Sequence, residues 1–374
     1  MRFESFQMER MQSVWENRVR YNLSESGVRP LSLGDLVDPA ALHDTLLGYP
    51  QTNGTVELRE LISDLYPGSD GANVMVTNGT AEANFLSVLN LVEPGDEVVV
   101  MFPNYMQIWG LARSLGAKVK PLSLREENNW RPDLEELAGA VTDKTRLIAI
   151  CNPNNPTGAV MGDNDLRQIC KLAGKVGAWI LSDEVYRGAE LGEEPSATLW
   201  GWYDRLLVTC GLSKAYGLPG LRIGWVVGPP DRVEALWSYK DYTTIAPGAL
   251  SDKLARVALE PKRRHQILER TRSIVKGQLP LVEQWVEEQR GLFTMVPPRA
   301  GAIAYLQYHM DVRSIDLITR LRDEKSVLVV PGEHFGMERY VRIGFGYDRD
   351  TLRKGLELFS ELLQSLRSDV GAKR

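Results

Sequence analysis

Apolar positions along the chain fall into two alternating patterns. Short β-rich runs are separated by helix-like stretches: Val74 to Thr77 (VMVT), Glu97 to Met101 (EVVVM), Arg146 to Cys151 (RLIAIC), Trp179 to Ser182 (WILS), Leu206 to Cys210 (LLVTC) and Ile223 to Val227 (IGWVV). This alternation predicts a mostly parallel central sheet with helices on both faces. Pro94-Gly95-Asp96 introduces one strand, and Pro132-Asp133-Leu134 predicts a helix with proline in its first turn. From about 261 to 291 a long amphipathic helical pattern bridges to a second unit, with strands near 302–308 and 340–345 and a closing helix over about 349–366. The expected architecture is α/β with a small α+β domain. Residues 1–44 form an N-terminal arm and part of the small domain, 45–285 the large domain and 286–374 the small C-terminal domain.

Composition narrows the setting. A chain of 374 residues, 43% hydrophobic and 25% charged, buries a large core without disulfides or a structural metal. Its 44 basic and 49 acidic residues are spread along the chain, so no bulk field gathers nucleic acid or an anionic membrane. Cys151, Cys170 and Cys210 are far apart and form no C-x-x-C pair, which argues against a zinc site and a secreted disulfide framework and points to a reducing cytoplasm. Charges interrupt the apolar residues of the N-terminus every few positions, leaving no signal-peptide core, and no later run is long enough to span a bilayer. The sequons at Asn22, Asn53 and Asn78 therefore read as loop asparagines.

Ligands of open α/β sheets gather at the carboxyl ends of the strands, and three polar motifs lie there. Asn152-Pro-Asn-Asn-Pro-Thr-Gly158 follows the run RLIAIC; alone it also reads as a rigid surface turn. Ser182-Asp183-Glu184-Val185-Tyr186 ends another strand, where its two carboxylates also read as solvated loop charges. The third runs from Gly211 to Trp225 and places Lys214 between an apolar strand and a Gly/Pro-rich loop. A lysine whose ammonium is poorly solvated is expected to have a lowered pKa and to attack carbonyl carbon as a free amine. Lys240-Asp241, by contrast, reads as a solvated helix-end ion pair.

Together and in this order, these motifs resemble the class I/II aminotransferases, enzymes of fold type I that depend on pyridoxal 5′-phosphate (PLP). The resemblance implies that Lys214 holds the cofactor as a Schiff base and that Asp183 pairs with the pyridine nitrogen. It implies that Asn155 and Tyr186 donate to the phenolic oxygen and that Tyr105 stacks on the ring. For the phosphate it implies the turn Gly79-Thr80-Ala81, whose amides open a helix, with Ser213 and Arg222. Ala81 stands where many relatives have a hydroxyl, a gap that Thr80 would compensate. Tyr49 matches a tyrosine that reaches the phosphate of the neighbouring subunit, which implies a homodimer with shared active sites. Arg342 matches the clamp for the substrate carboxylate, with Asn155 and Gly27 also on the substrate side; the Ser26-Gly27 segment departs from the family's usual Gly-x-Pro.

The implied activity moves an amino group between an L-amino acid and a 2-oxo acid. Ser213 to Trp225, Lys240 to Thr244 and Val327 to Gly332 also look like the subgroup that contains capreomycidine synthase, which keeps open a lyase/cyclase or an oxidase. A non-enzymatic regulator on this fold would carry an extra DNA-binding domain, for which 374 residues leave no room. Side-chain preference is set by loops that vary freely on one scaffold and is not readable here.

Overall fold

Successive residues of a strand point to opposite faces, and here both faces are covered. The computed structural model describes residues 3–371. In chain order the strands are β1 (Tyr21–Asn22), β2 (Val74–Thr77), β3 (Glu97–Phe102), β4 (Lys118–Arg125), β5 (Arg131–Pro132), β6 (Thr145–Cys151) and β7 (Trp179–Asp183). They continue with β8 (Leu206–Gly211), β9 (Gly224–Val227), β10 (Phe293–Met295), β11 (Ile303–Tyr308), β12 (Val327–Leu328), β13 (Val330–Pro331) and β14 (Tyr340–Gly344). The first six helices are α1 (Gln7–Trp15), α2 (Leu33–Leu36), α3 (Val56–Ser63), α4 (Thr80–Leu91), α5 (Gln107–Ser114) and α6 (Leu134–Ala140). Then come α7 (Asp163–Val176), α8 (Pro230–Lys240), α9 (Ala249–Leu259), α10 (Pro261–Glu288), α11 (Ser314–Lys325) and α12 (Arg349–Gly371).

The main sheet has the order β2-β9-β8-β7-β6-β3-β4-β5. Strands β8, β7, β6, β3 and β4 run parallel, while β9 is antiparallel to both β2 and β8, and β5 is antiparallel to β4. Two reversals at β9 leave β2 pointing the same way as β8, so the exits of β2, β6, β7 and β8 share one edge. The pleat divides the apolar runs between two cores. Val99, Ile148, Ile150, Ile180, Val208 and Trp225 pack on one face, and Val98, Val100, Leu147, Leu181, Leu207 and Val226 on the other.

A separate core joins both chain ends: Leu23 and Val28 pack with Phe293, Leu306, Val341 and Phe359. Its sheet, β10-β11-β14-β13, is antiparallel, and β1 pairs in parallel with β12. Helix α10 contributes Val275, Val282 and Trp285 to this core and Ile267 to the first, so it runs across the limit drawn at 285.

Two expectations need correction. Pro132 ends β5 rather than opening a helix; its fixed φ suits an extended strand equally, and Asp133 then caps α6 by accepting the amides of Glu135 and Glu136 at 3.1 and 2.9 Å. Lys240 is not a solvated ion pair. The turn after α8 folds back over it, and its fully buried ammonium donates to the carbonyls of Thr52 (2.9 Å) and Ile245 (2.7 Å). Burial pulls its pKa down to about 8.

Candidate active site

The turn from β2 into α4 builds an anion cradle. Gly79 has φ 84°, and a Cβ there would stand 2.3 Å from Arg222 Nη2. Gly224 of β9 presses on the same turn; a Cβ on it would fall 2.4 Å from the Gly79 carbonyl carbon and 2.5 Å from the Thr80 nitrogen. The two glycines thus let a guanidinium, a strand and a helix start meet. The first amides of α4, Thr80 and Ala81, have no intrahelical acceptor and sit at the positive end of the helix dipole. Arg222 Nη1 lies 3.4 Å from the Ser213 hydroxyl. Thr80 Oγ1 is buried with no partner among the described residues. This donor set, two amides, two hydroxyls and a guanidinium, fits a phosphate dianion.

Asp183, the last residue of β7, is buried. Its Oδ2 accepts from Asn84 Nδ2 at 2.9 Å and its Oδ1 from the Val185 amide at 3.1 Å, while Asn84 Oδ1 accepts from the Thr209 hydroxyl at 2.6 Å. Burial pushes the carboxyl pKa up, and the Asn84 and Val185 donors oppose it. A buried carboxylate so placed fits a cationic N–H partner such as a pyridinium. Burial also pushes the Tyr186 phenol up, against the pull of Lys214, Arg342 and Ser26. Tyr105 donates its hydroxyl to Glu9 at 2.8 Å, and its ring meets Phe6 edge-on.

Lys214 follows β8 and donates its ammonium to Glu25 Oε1 at 2.8 Å. The same oxygen accepts the amides of Ser26 and Gly27, both at 2.9 Å. The Lys214 charge, with help from these donors, holds the Glu25 carboxyl down to about 2. The expected lowering of the Lys214 pKa is therefore overturned: burial does pull it down, but Glu25 and Tyr186 outweigh it and the pKa is raised. Glu9 of α1 and Glu16, which caps its C-terminus, join Glu25 on the same wall, and Glu16 is pushed up by burial and by both neighbouring carboxylates.

A cavity of ≈ 340 Å³ brings together Thr80, Ala81, Tyr105, Asn155, Asp183, Tyr186, Ser213, Lys214 and Arg222. Gly79 stands behind Thr80, and Gly27 packs against the Lys214 stem, where a Cβ would lie 3.6 Å from Cδ. Arg342 is not on the cavity wall. It is 1% exposed, donating to the Ser24 carbonyl (2.6 Å) and Asn155 Oδ1 (2.9 Å) beneath Met8. Tyr49 is 88% exposed and takes no part in the cavity of its own chain.

The sequence reading missed Asn84, Glu25 and Glu9. Asn84 carried a signal, since it lies one helical turn beyond Thr80 on the same face of α4. Glu25 adjoined the Ser26-Gly27 segment already singled out. Glu9 carried none, because only the tertiary fold brings α1 to the cavity. Among the described residues no group of His, Cys, Asp and Glu is placed to hold a metal, and no helix is long and apolar enough to cross a membrane.

Comparison with known proteins places the chain in a family. Residues 21–359 match the family described as aminotransferase class I and II. Capreomycidine synthase of Streptomyces vinaceus is 35% identical over 353 residues, covering 92% of this chain and 90% of that protein. A PLP-dependent aminotransferase from Streptococcus suis 89-1591 superposes with a TM-score of 0.92 at 36% identity, over 98% of this chain and 99% of the other. A PLP-dependent cyclase, OrfR, superposes at 0.89 with 26% identity, over 98% of each chain.

Proposed function

This chain belongs to the class I and II aminotransferases, whose cofactor is PLP, and from that membership we propose that it moves an amino group between an L-amino acid and a 2-oxo acid. The observation that carries the reading is the convergence of Lys214, Asp183 and the anion cradle on one cavity. When bound, PLP supplies an aldehyde carbon that captures the amino group and a ring that takes up electrons from Cα. In this reading the Thr80 and Ala81 amides, Ser213 and Arg222 hold the phosphate. Asp183 holds a proton on the ring nitrogen, Asn155 and Tyr186 meet the phenolic oxygen, and Tyr105 covers a face of the ring.

Lys214 bonds the aldehyde and, when free, moves the proton of the substrate Cα. Asn84 and the Val185 amide fix the orientation of the Asp183 carboxylate, so its charge stays aimed along one direction. In this reading Arg342 receives the substrate carboxylate; its buried Nε has no partner among the described residues and is free to donate. The wall of Glu9, Glu16 and Glu25 repels a second carboxylate, so an acidic side chain is the poorest substrate.

Exposed Leu46, Leu47, Tyr49 and Tyr242 support a homodimer in which Tyr49 serves the partner's site. Free, buried cysteines suit the reducing cytoplasm; the proposed division into 1–44, 45–285 and 286–374 is bridged by α10, which crosses 285 and packs on both cores. The PLP-loaded protein, mixed with a panel of amino acids for one turnover, is expected to yield a 2-oxo acid with the cofactor recovered as its amine. Aspartate and glutamate should be the slowest members of the panel. Relatedness to capreomycidine synthase and OrfR favours a second reading, elimination with ring closure. Recovery of unchanged PLP with a cyclised or dehydrated amino acid would establish that reading instead; peroxide formed with consumption of oxygen would mark an oxidase.

A further inference from the structure

We propose that Glu25 is the counter-ion of the Lys214 nitrogen, both while that nitrogen is an ammonium and after it is bonded to the cofactor, and that it keeps the bonded nitrogen protonated. The inference rests on the cofactor reading above and assigns Glu25 as a positioning residue. Its carboxylate does not depend on Lys214 for its place. The amides of Ser26 and Gly27 hold the same oxygen, and the segment that carries it is tied down by the Gly344 amide on the Leu23 carbonyl (2.7 Å) and by Gln12 Nε2 on the Ser24 carbonyl (2.9 Å). A carboxylate anchored in this way stays beside the nitrogen when the nitrogen changes its bonding.

The other charged or titratable groups acting on this pair are Tyr186 from the loop after β7, Glu16 from the C-cap of α1 and Arg342 from β14. Of these, Arg342 alone opposes a cation at Lys214, and the adjacent Glu25 outweighs it. Beside the Lys214 ammonium Glu25 stays ionised down to about 2, and the Gly27 amide and Arg342 add to that lowering. Chemical balance follows. An ammonium and an aldehyde form a C=N bond and one water, and the remaining nitrogen proton is retained opposite Glu25. Without the carboxylate, that proton passes to solvent at the same pH. A protonated C=N carbon is the better electrophile for the next incoming amine.

The PLP-loaded protein should keep its long-wavelength, protonated absorbance band between about pH 6 and 9. Glu25→Gln should lose the band as pH rises, with a midpoint lower by about 1–3 pH units, and Glu25→Asp should recover part of the shift. Coinciding midpoints for wild type and Glu25→Gln would overturn the proposal. A second arm needs neither variant nor cofactor. Competitive acetylation of Lys214 in cofactor-free wild-type protein should titrate above the ordinary lysine value of 10.5, and a midpoint at or below it would equally overturn the proposal. Failure of the cofactor reading looks different: no band forms, and borohydride reduction leaves no adduct on the Lys214 peptide.

Discussion

Asp183 and Glu25 face the same cavity, and burial pushes both carboxyls up, yet they end on opposite sides of the ordinary value. The difference is the partner. Glu25 has an ammonium at 2.8 Å, whereas Asp183 has only neutral donors, Asn84 and the Val185 amide. Asp183 is thus the stronger acceptor for an incoming cationic N–H, and removing it should cost the chemistry more than the binding. Asp183→Ala should still take up PLP through Lys214 and the cradle. Its removal of the substrate Cα proton, followed by rapid mixing in a single turnover, should slow by about a thousandfold or more. A near-normal rate would show that Asp183 has another task.

At the scale of elements, the site is a set of strand exits, and this is why so much of it was legible. The runs VMVT, RLIAIC, WILS and LLVTC each end where a polar motif begins, and a parallel sheet brings those ends to one edge whatever the loops do. Glu9, the capture of Lys214 by Glu25 and the burial of Arg342 were not legible, because they depend on where α1 and the segment behind it settle, and no local period encodes that. Contact between elements also gives two tests. Gly224→Ala would drive a methyl group into the Gly79-Thr80 backbone, so α4 must shift at its first turn. The expected result is a cofactor affinity weaker by about 1–3 kcal/mol in equilibrium dialysis, with secondary structure unchanged by circular dichroism. Glu184, next along from Asp183, is fully buried, and its pKa is pushed up to about 7 from the ordinary 4.5. Between those values the folded chain binds a proton that the unfolded chain releases, so this group lowers stability as pH rises through the window, by about 3 kcal/mol in all, and adds nothing further above it. Melting curves of Glu184→Gln should lack that part of the slope; an unchanged slope would mean the carboxylate is relieved by its Thr198 and Leu199 donors.

For the whole molecule, the exposed apolar side chains are concentrated in the segment 46–56 and around the turn after α8. The two regions are held together, since Trp237 donates to the Thr52 hydroxyl at 2.8 Å and Lys240 to the Thr52 carbonyl at 2.9 Å. Covering them with a second copy predicts a dimer in sedimentation and, for Tyr49→Phe, weaker PLP binding without loss of fold. A fully loaded, active monomer would contradict both. The pairing of β1 with β12 has a consequence for biogenesis. The Arg20 amide and the Ser326 hydroxyl that accepts from it are 306 residues apart, so during translation the segment bearing Glu25 leaves the ribosome with its local anchors, Gln12, Ser26 and Gly27, long before its distant ones exist. Lys214 and the cradle emerge earlier than β12 and β14, so a nascent chain can offer the lysine while the segment bearing its counter-ion lacks its pairing with β12 and the Gly344 contact. A ribosome stalled short of β12 would thus display Lys214 while the Ser326 and Gly344 contacts of the Glu25 segment are still missing, and the two are complete only after β14 has been made.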